Sequence, residues 1–332
     1  MELRNKNILI FAPPFFNYDK EIKKKLVSYG ASVDLYDERP STSFFIKALI
    51  RIYSKSLSLY ASRYYNSIVT QNLKKDYDFV FIVKGEVITQ VIINRIRSSF
   101  PNAKLILYLW DSIQNYKEIK SCLPLFDRTL TFDINDSLEF ESLIFRPLFY
   151  LDDYKNCGEG IHHKEIDLLF IGTVHSDRWL FLKEIKKQAE NHNFKVFYYL
   201  YIQSPIIFFV RKIFDKRLSS LPFKDIRFHS MPRKDVVELM KNTRAVVDIQ
   251  HPKQTGLTMR TIEIIGARIK LITTNSTIKE YDCYSENNIA IIDRKSPILD
   301  FDFWTTDYVE LLDDIYDKYS IDGWIKDVFS TL

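Results

Sequence analysis

The sequence is short of glycine. Only eight occur in 332 residues, against a usual share of about 7%, so few turns can rest on left-handed backbone and a glycine beside a strand end carries information. Cysteine is scarcer still. Cys122, Cys157 and Cys283 are odd in number, far apart and without Cys-x-x-Cys spacing, which argues against a disulfide framework or a thiolate zinc site and fits a reducing compartment. No apolar run reaches the roughly 20 residues of a membrane-spanning helix. The longest, VFYYLYIQSPIIFFV at 196–210, is interrupted by Gln203, Ser204 and Pro205. Neither half carries Gly-x-Gly-x-x-Gly after its first strand (IFAPPFF and FIGTVHS), which disfavours a dinucleotide-dependent dehydrogenase. Charge of one sign is lacking too: the formal excess is +4, with bases interleaved among acids, so nucleic acid is not an implied partner.

What remains is the composition of a soluble globular protein, 46% hydrophobic and 27% charged, with 25 Phe and 20 Tyr. The N-terminus, MELRNKNILIFAPPFF, passes straight into a strand pattern without a cleavage-site signal, so we expect no secretory leader and a cytoplasmic location. The length suits two domains. Short β-branched runs alternate with helical patterns: NILIFA (7–12), ASVDLYD (31–37), DFVFIVK (78–84), KLILYLW (104–110) and RTLTFD (128–133). They are separated by helical patterns at about 18–29, 42–73, 88–98 and 113–121. Strands apolar on both faces that alternate with helices imply a parallel sheet covered on both sides. LDDYKNCGEGIHHKE (151–165) is polar and aperiodic, and reads as a linker. The alternation then restarts with IDLLFIG (166–172), KVFYYLY (195–201), IRFHS (226–230), AVVDIQ (245–250), KLITT (270–274) and NIAIID (288–293). An amphipathic helix is expected over 303–330. The fold class expected is therefore α/β, two tandem Rossmann-like domains facing each other across a cleft: 1–150, the linker 151–165, 166–302, and a C-terminal helical segment 303–332.

Such sheets place functional loops at the carboxyl ends of strands. After DLLFIG comes TVHSDRW: Gly172 is expected to turn the chain tightly, and the helix that follows would start near Ser176 or Asp177 with its backbone N–H groups toward an anion. Arg178 adds a phosphate contact in that reading, or stands solvated at a plain strand-to-helix turn. After AVVDIQ comes HPKQTGLTMRTIE, with Thr255 and Gly256 expected at the start of a helix over 256–267. Arg260 and Glu263, at i and i+3, share one face. They read either as a ligand-facing pair or as a pair on a solvated face. The apolar surroundings TIEIIGA favour the ligand, because a buried ion pair is costly without a partner.

The stretch from MPRKDVVELMKNTRAVVDIQHP through TGLTMRTIEIIGARIKLITTN resembles the donor-binding half of GT-B glycosyltransferases. It is similar in particular to the spore-maturation-protein-like group and to bacterial capsule and lipopolysaccharide transferases. The resemblance implies that Glu263 holds a nucleotide ribose, that Thr255, Gly256 and Leu257 form the phosphate-side loop, and that FIGTVHSDR, with Gly172, Thr173 and Arg178, is the glycine loop opening the donor domain. His175 and His251 flank these loops. It further implies that domain 1–150 takes the acceptor, that domain 166–302 takes the nucleotide sugar, and that the C-terminal helix returns to the first domain. Many retaining members carry a second glutamate eight positions before the ribose one. Here that position is Thr255, which points to inversion.

An inverting transferase needs a base for the acceptor hydroxyl. Asp111 in LYLWDS, otherwise an N-cap, and Glu86 in VKGE are the candidates, with Arg260 on the leaving group. Lys84 would contact phosphate or an acidic acceptor, and Trp110 would stack on a sugar or fill the core. With DINDS at 133–137 the nearest approach to an Asp-x-Asp pair, no metal and no cofactor beyond the nucleotide-sugar co-substrate are expected. Two stretches, 43–69 and 201–217, combine basic and apolar residues as interfacial helices do, or simply pack on the core. A peripheral inner-membrane enzyme acting on a glycan or lipid-linked glycan acceptor follows from the first option. A sugar-nucleotide epimerase on the same fold, and a non-catalytic nucleotide-sugar-binding protein, are the alternatives.

Overall fold

The computed structural model describes residues 3–40, 54–159, 164–175, 177–252 and 254–330. The chain divides into two compact units. One runs to Pro147 and takes back the residues from Ile321 onward; the other is Leu148–Ser320.

In the first unit six parallel strands are described: β1 Asn7–Phe11, β2 Ser32–Tyr36, β3 Phe79–Val83, β4 Lys104–Leu109, β5 Arg128–Thr131 and β6 Ile144–Phe145. They lie in the order β2-β1-β3-β4-β5-β6. The central strands are apolar at successive positions because both faces are covered: Val80, Phe81, Ile82 and Val83 are all fully buried. Helices α1 (Tyr18–Ser28), α2 (Ser54–Gln71), α3 (Gln90–Ser99) and α4 (Ile134–Glu139) supply the crossovers. Thr89 caps α3 by accepting the Ile92 N–H, and Ile92, Ile93 and Ile96 point inward. The part of the basic-aromatic stretch at 43–53 lies outside the described residues. In α2 the inward stripe is Ala61, Tyr65, Ile68 and Val69.

The second unit repeats the plan with β7 Ile166–Thr173, β8 Val196–Tyr201, β9 Ile226–Arg227, β10 Thr243–Asp248, β11 Lys270–Thr273 and β12 Ile289–Ile291. The order is β12-β11-β10-β7-β8-β9, all parallel. Counted from β7 this is 3-2-1-4-5-6, the doubly wound arrangement whose switch point lies between its first and fourth strands, here β7 and β10. The helices are α5 Arg178–Asn191, α6 Pro205–Phe214, α7 Arg233–Lys241, α8 Met259–Ala267 and α9 Asp313–Lys318. Gly266 lies inside α8 because the Tyr150 ring packs there; a Cβ at 266 would stand 2.3 Å from the Tyr150 Cγ.

Two expectations need correction. The stretch 151–165 is not where the units part. Its described residues belong to the second unit, with the Asn156 and Gly158 N–H groups bonded to the carbonyls of Gly266 and Ala267 at the end of α8. The C-terminal segment is not one helix. It comprises a 3-10 turn at Phe301–Trp304, then α9, then α10 (Ile321–Val328). The break has a cause: Asn288 donates to the Val309 carbonyl at 2.6 Å and accepts its N–H at 2.8 Å, a side chain that captures the backbone a helix would need. In α10, which belongs to the first unit, Trp324 is fully buried against Phe81 and Tyr108.

Candidate functional site

The helix expected over 256–267 begins three residues later, at Met259. Thr258 sets that start. Its hydroxyl accepts the Thr261 N–H at 3.1 Å, and both Thr258 and Thr261 donate to the buried Asp248 carboxylate, at 2.5 and 2.6 Å. Asp248 is the last residue of β10, so strand end and helix start are tied by one carboxylate. Thr255, Gly256 and Leu257 therefore form the loop before the helix rather than its first turn. Asn275 donates to the Thr255 carbonyl at 3.1 Å and Gln254 to that of Gly256 at 3.2 Å. Leu257 itself is a core residue, 2% exposed.

From this start, Arg260 is the second residue of α8 and Glu263 the fifth, one turn in. They pair at 2.7 Å, with the Glu263 side chain 8% exposed, so the pair does not lie on a solvated face. Tyr154 joins it: burial first, and then the Glu263 charge, hold its phenol well above the usual range.

At the other side of the switch point Gly172 does not turn the chain. It is a strand residue of β7, and its missing side chain makes room for the Phe170 ring, which a Cβ would meet at 2.8 Å. Thr173 ends the strand, and α5 begins at Arg178. The Arg178 guanidinium donates to the Thr173 carbonyl at 2.8 Å and also to that of Ile249, bridging the ends of β7 and β10; burial lowers its pKa to about 10. Arg211, from α6, donates to the Val174 carbonyl at 3.2 Å. Arg294, just past β12, holds the Asp177 carboxylate with two bonds of 2.8 and 2.6 Å and reaches the Gln250 carbonyl at 3.0 Å. His175 and His251 come together with ring centroids 5.4 Å apart. Burial, then the charges of Arg178, His251, Arg211 and Arg294, push the His175 pKa down to about 3, so this imidazole is neutral near pH 7. The switch point of such a sheet opens a crevice outside the strand ends; the arginines around it are held by backbone carbonyls and, for Arg294, by the Asp177 carboxylate.

Arg211, Arg294, Asp248 and Tyr154 escaped the sequence reading. Asp248 and Arg294 carry the same signal as the residues found: a charged side chain at or just past an apolar strand. Arg211 sits inside an apolar helix, the same kind of signal that marks Arg260, but the stretch 201–217 reads as an interfacial or core-packing helix and gives no sign that Arg211 reaches the end of β7.

The first unit gathers a second cluster at strand ends. Lys84 and Gly85 follow β3 with φ of 81° and 74°, and Lys84 pairs with Glu86 at 2.7 Å. Asp111 is not an N-cap; Ser112 caps the short 3-10 turn that follows. Its carboxylate instead accepts from the Ser112 N–H at 3.0 Å, from Asn115 at 2.8 Å and from the Tyr116 hydroxyl at 2.9 Å. Trp110 is half-buried, edge-on to Tyr18 at 5.9 Å and Phe15 at 6.4 Å. Glu38, just past β2, was not anticipated. It is fully buried, accepts the Glu86 N–H at 3.0 Å, and its pKa is raised to about 8 by burial first, with the Glu86 charge adding to it.

Among the described residues no group of three or more His, Cys, Asp or Glu side chains could hold a metal ion. No helix among them is long and apolar enough to cross a membrane. A cavity of about 720 Å³ opens near Asp167, Arg244, Arg268 and Lys270. It lies at the amino ends of β7, β10 and β11, the opposite end from the switch point, and its cations are engaged: Arg244 with Asp167, Arg268 with Glu159 and Glu310. We assign it no role in the site.

No protein-family model matches the chain, and no curated protein matches it. Solved structures do. A trehalose-6-phosphate synthase studied for glycosyl transfer with retention aligns at TM-score 0.60 and 11% identity, covering 99% of this chain and all of the other. HepE of Anabaena, solved with UDP and glucose, aligns at 0.59 and 12% with the same coverage. The lipopolysaccharide outer core galactosyltransferase WaaB aligns at 0.53 and 13%, covering 98% of this chain and all of that one. At these identities the likeness is one of fold: two parallel six-stranded α/β units of the GT-B type.

Proposed function

We propose that the chain is a glycosyltransferase that moves a sugar from a nucleotide-sugar donor to a bacterial surface-glycan acceptor (capsule, lipopolysaccharide or O-antigen). We place it with the spore-maturation-protein-like group, in the cytoplasm and peripheral on the inner membrane. The observation that carries the reading is Glu263. This carboxylate is nearly buried one turn into the helix that leaves the switch point, and Arg260 and Tyr154 orient it. A carboxylate so placed accepts both hydroxyls of a ribose, and the cations at the crevice meet the diphosphate. The GT-B fold supports the same reading, and the UDP bound to HepE makes uridine diphosphate the first nucleotide to test.

The reaction we assign is a single displacement. The acceptor oxygen forms its bond to the anomeric carbon as the bond to the diphosphate breaks. Asp111 takes the acceptor proton, with Glu86 the second candidate, and Arg260 meets the charge on the departing diphosphate. Lys84 and Trp110 are assigned to the acceptor side. Thr255, standing where a retaining enzyme would carry a second glutamate, supports inversion. No metal or further cofactor is assigned. NMR of the product's anomeric proton tests the stereochemistry: retention sinks the single displacement.

The donor site is tested by calorimetry with nucleotide. Glu263→Gln keeps the shape and removes a charge-assisted bond, so affinity should fall by about 1.5–3 kcal/mol. Arg260→Ala should lower turnover more than binding. Unchanged affinity in Glu263→Gln would make the pair structural and remove the basis of this proposal.

A further inference from the structure

The second unit carries an apolar face that its own core does not use. Helix α6 (Pro205–Phe214) is capped by Ser204, which accepts the Ile207 N–H at 3.2 Å. Phe208 turns inward and is fully buried. The opposite side shows Ile206 (75% exposed), Phe209, Val210, Ile213 (75%) and Phe214 (83%). These positions, i, i+3, i+4, i+7 and i+8, form one stripe along the helix. Phe223, half-exposed, stacks on Phe209 with centroids 5.6 Å apart and extends the stripe sideways. Apolar side chains exposed singly need no explanation, but six contiguous ones do.

Charge identifies the occupant. Between 201 and 227 there are six basic and two acidic residues, an excess of four that equals the excess of the whole chain. No acid occurs from 202 to 214. Arg211 and Lys212 leave the stripe's flanks for the carbonyls of Val174 and Leu221, while Lys216 and Lys224 are exposed beside it and Arg217, also exposed, pairs with Asp215 through two bonds of 2.8 Å. A second copy of this chain would bring two such basic faces together and be repelled; an anionic surface would be attracted. We propose that the α6 stripe docks on an anionic lipid surface, its apolar side chains entering the acyl boundary and its bases meeting the headgroups. The inner side of the same helix touches the switch-point loop through Arg211, so docking would hold that loop close to the lipid headgroups. This inference does not rest on the glycosyl-transfer reading.

The test uses the full chain and vesicles of phosphatidylcholine with or without phosphatidylglycerol. At low salt the protein should sediment with the anionic vesicles and not with the neutral ones, and release as salt screens the charges. Ile213→Ser with Phe214→Ser removes exposed side chains only, so melting should not change, while partitioning should fall about tenfold or more. Ile206→Ser, about two turns away, should weaken binding independently. Lys216→Glu with Lys224→Glu should weaken binding to the anionic vesicles. Failure to sediment at low salt, or serine variants that bind as well as the native chain, would overturn the proposal. So would gel filtration showing a dimer that the serine variants dissociate, which would assign the stripe to a second copy.

Discussion

Single residues divide by how far their partners lie along the chain. Glu263 and Arg260 were legible because both sit in nine residues of otherwise apolar helix, and a charge there needs a reason. Glu38 was not, because its surroundings come from elsewhere: the Glu86 N–H from beyond β3 and Lys84 beside it. Its chemistry makes a prediction with a definite sign. Burial raises the folded-state pKa to about 8, against about 4.3 for an unfolded glutamate. Between these values the folded chain holds a proton that the unfolded chain has lost, so the stabilising contribution is complete at low pH and disappears as pH rises through about 8. The slope approaches about 1.4 kcal/mol per pH unit. Glu38→Gln mimics the protonated form, so urea denaturation should show it gaining on the native chain from pH 5 to pH 8, and matching it at acid pH. A difference that does not change with pH would mean that Glu38 is charged in the folded state.

At the scale of elements, the strands were readable because a sheet covered on both faces demands unbroken apolar runs, and such runs do little else at this length. Helix limits were less so. The start of α8 was placed at Thr255–Gly256 because a glycine after a strand suits a helix terminus, but Thr258 wins the position through a bond that local sequence does not show, the one to Asp248 ten residues earlier. Likewise, Asn288 breaks the C-terminal helix from 21 residues away. Gly172 taught the reverse lesson: a glycine at a strand end served a neighbouring ring rather than a turn. The cap is open to test. Thr258→Ala removes the acceptor of the Thr261 N–H and one of two hydroxyls on Asp248, and should cost about 1–2 kcal/mol. Thr258→Ser keeps both bonds and should recover most of it. If alanine and serine melt alike, the bonds to Asp248 and Thr261 do not hold α8 in place.

For the whole molecule, the two-unit plan was legible from the restart of strand–helix alternation near residue 166, yet the boundary was not, because the polar segment after Leu151 is held to α8 through backbone bonds that no pattern announces. Each unit has its own closed core, one built around β3 and β4 and the other around β7 and β10. A ligand bound only by the crevice at β7 and β10 stabilises the unit that contains it. At a hundred times its Kd a nucleotide adds about 2.7 kcal/mol, which for a unit of this size raises the midpoint by roughly 5–10 °C. Calorimetry of the full chain with nucleoside diphosphates should therefore show an upward shift in the transition that carries Leu148–Ser320, and Glu263→Gln should reduce that shift when each protein is compared with its own nucleotide-free trace. A shift confined to the other transition would move the nucleotide site to the first unit, where Lys84 and the strand ends around it would have to hold the phosphates.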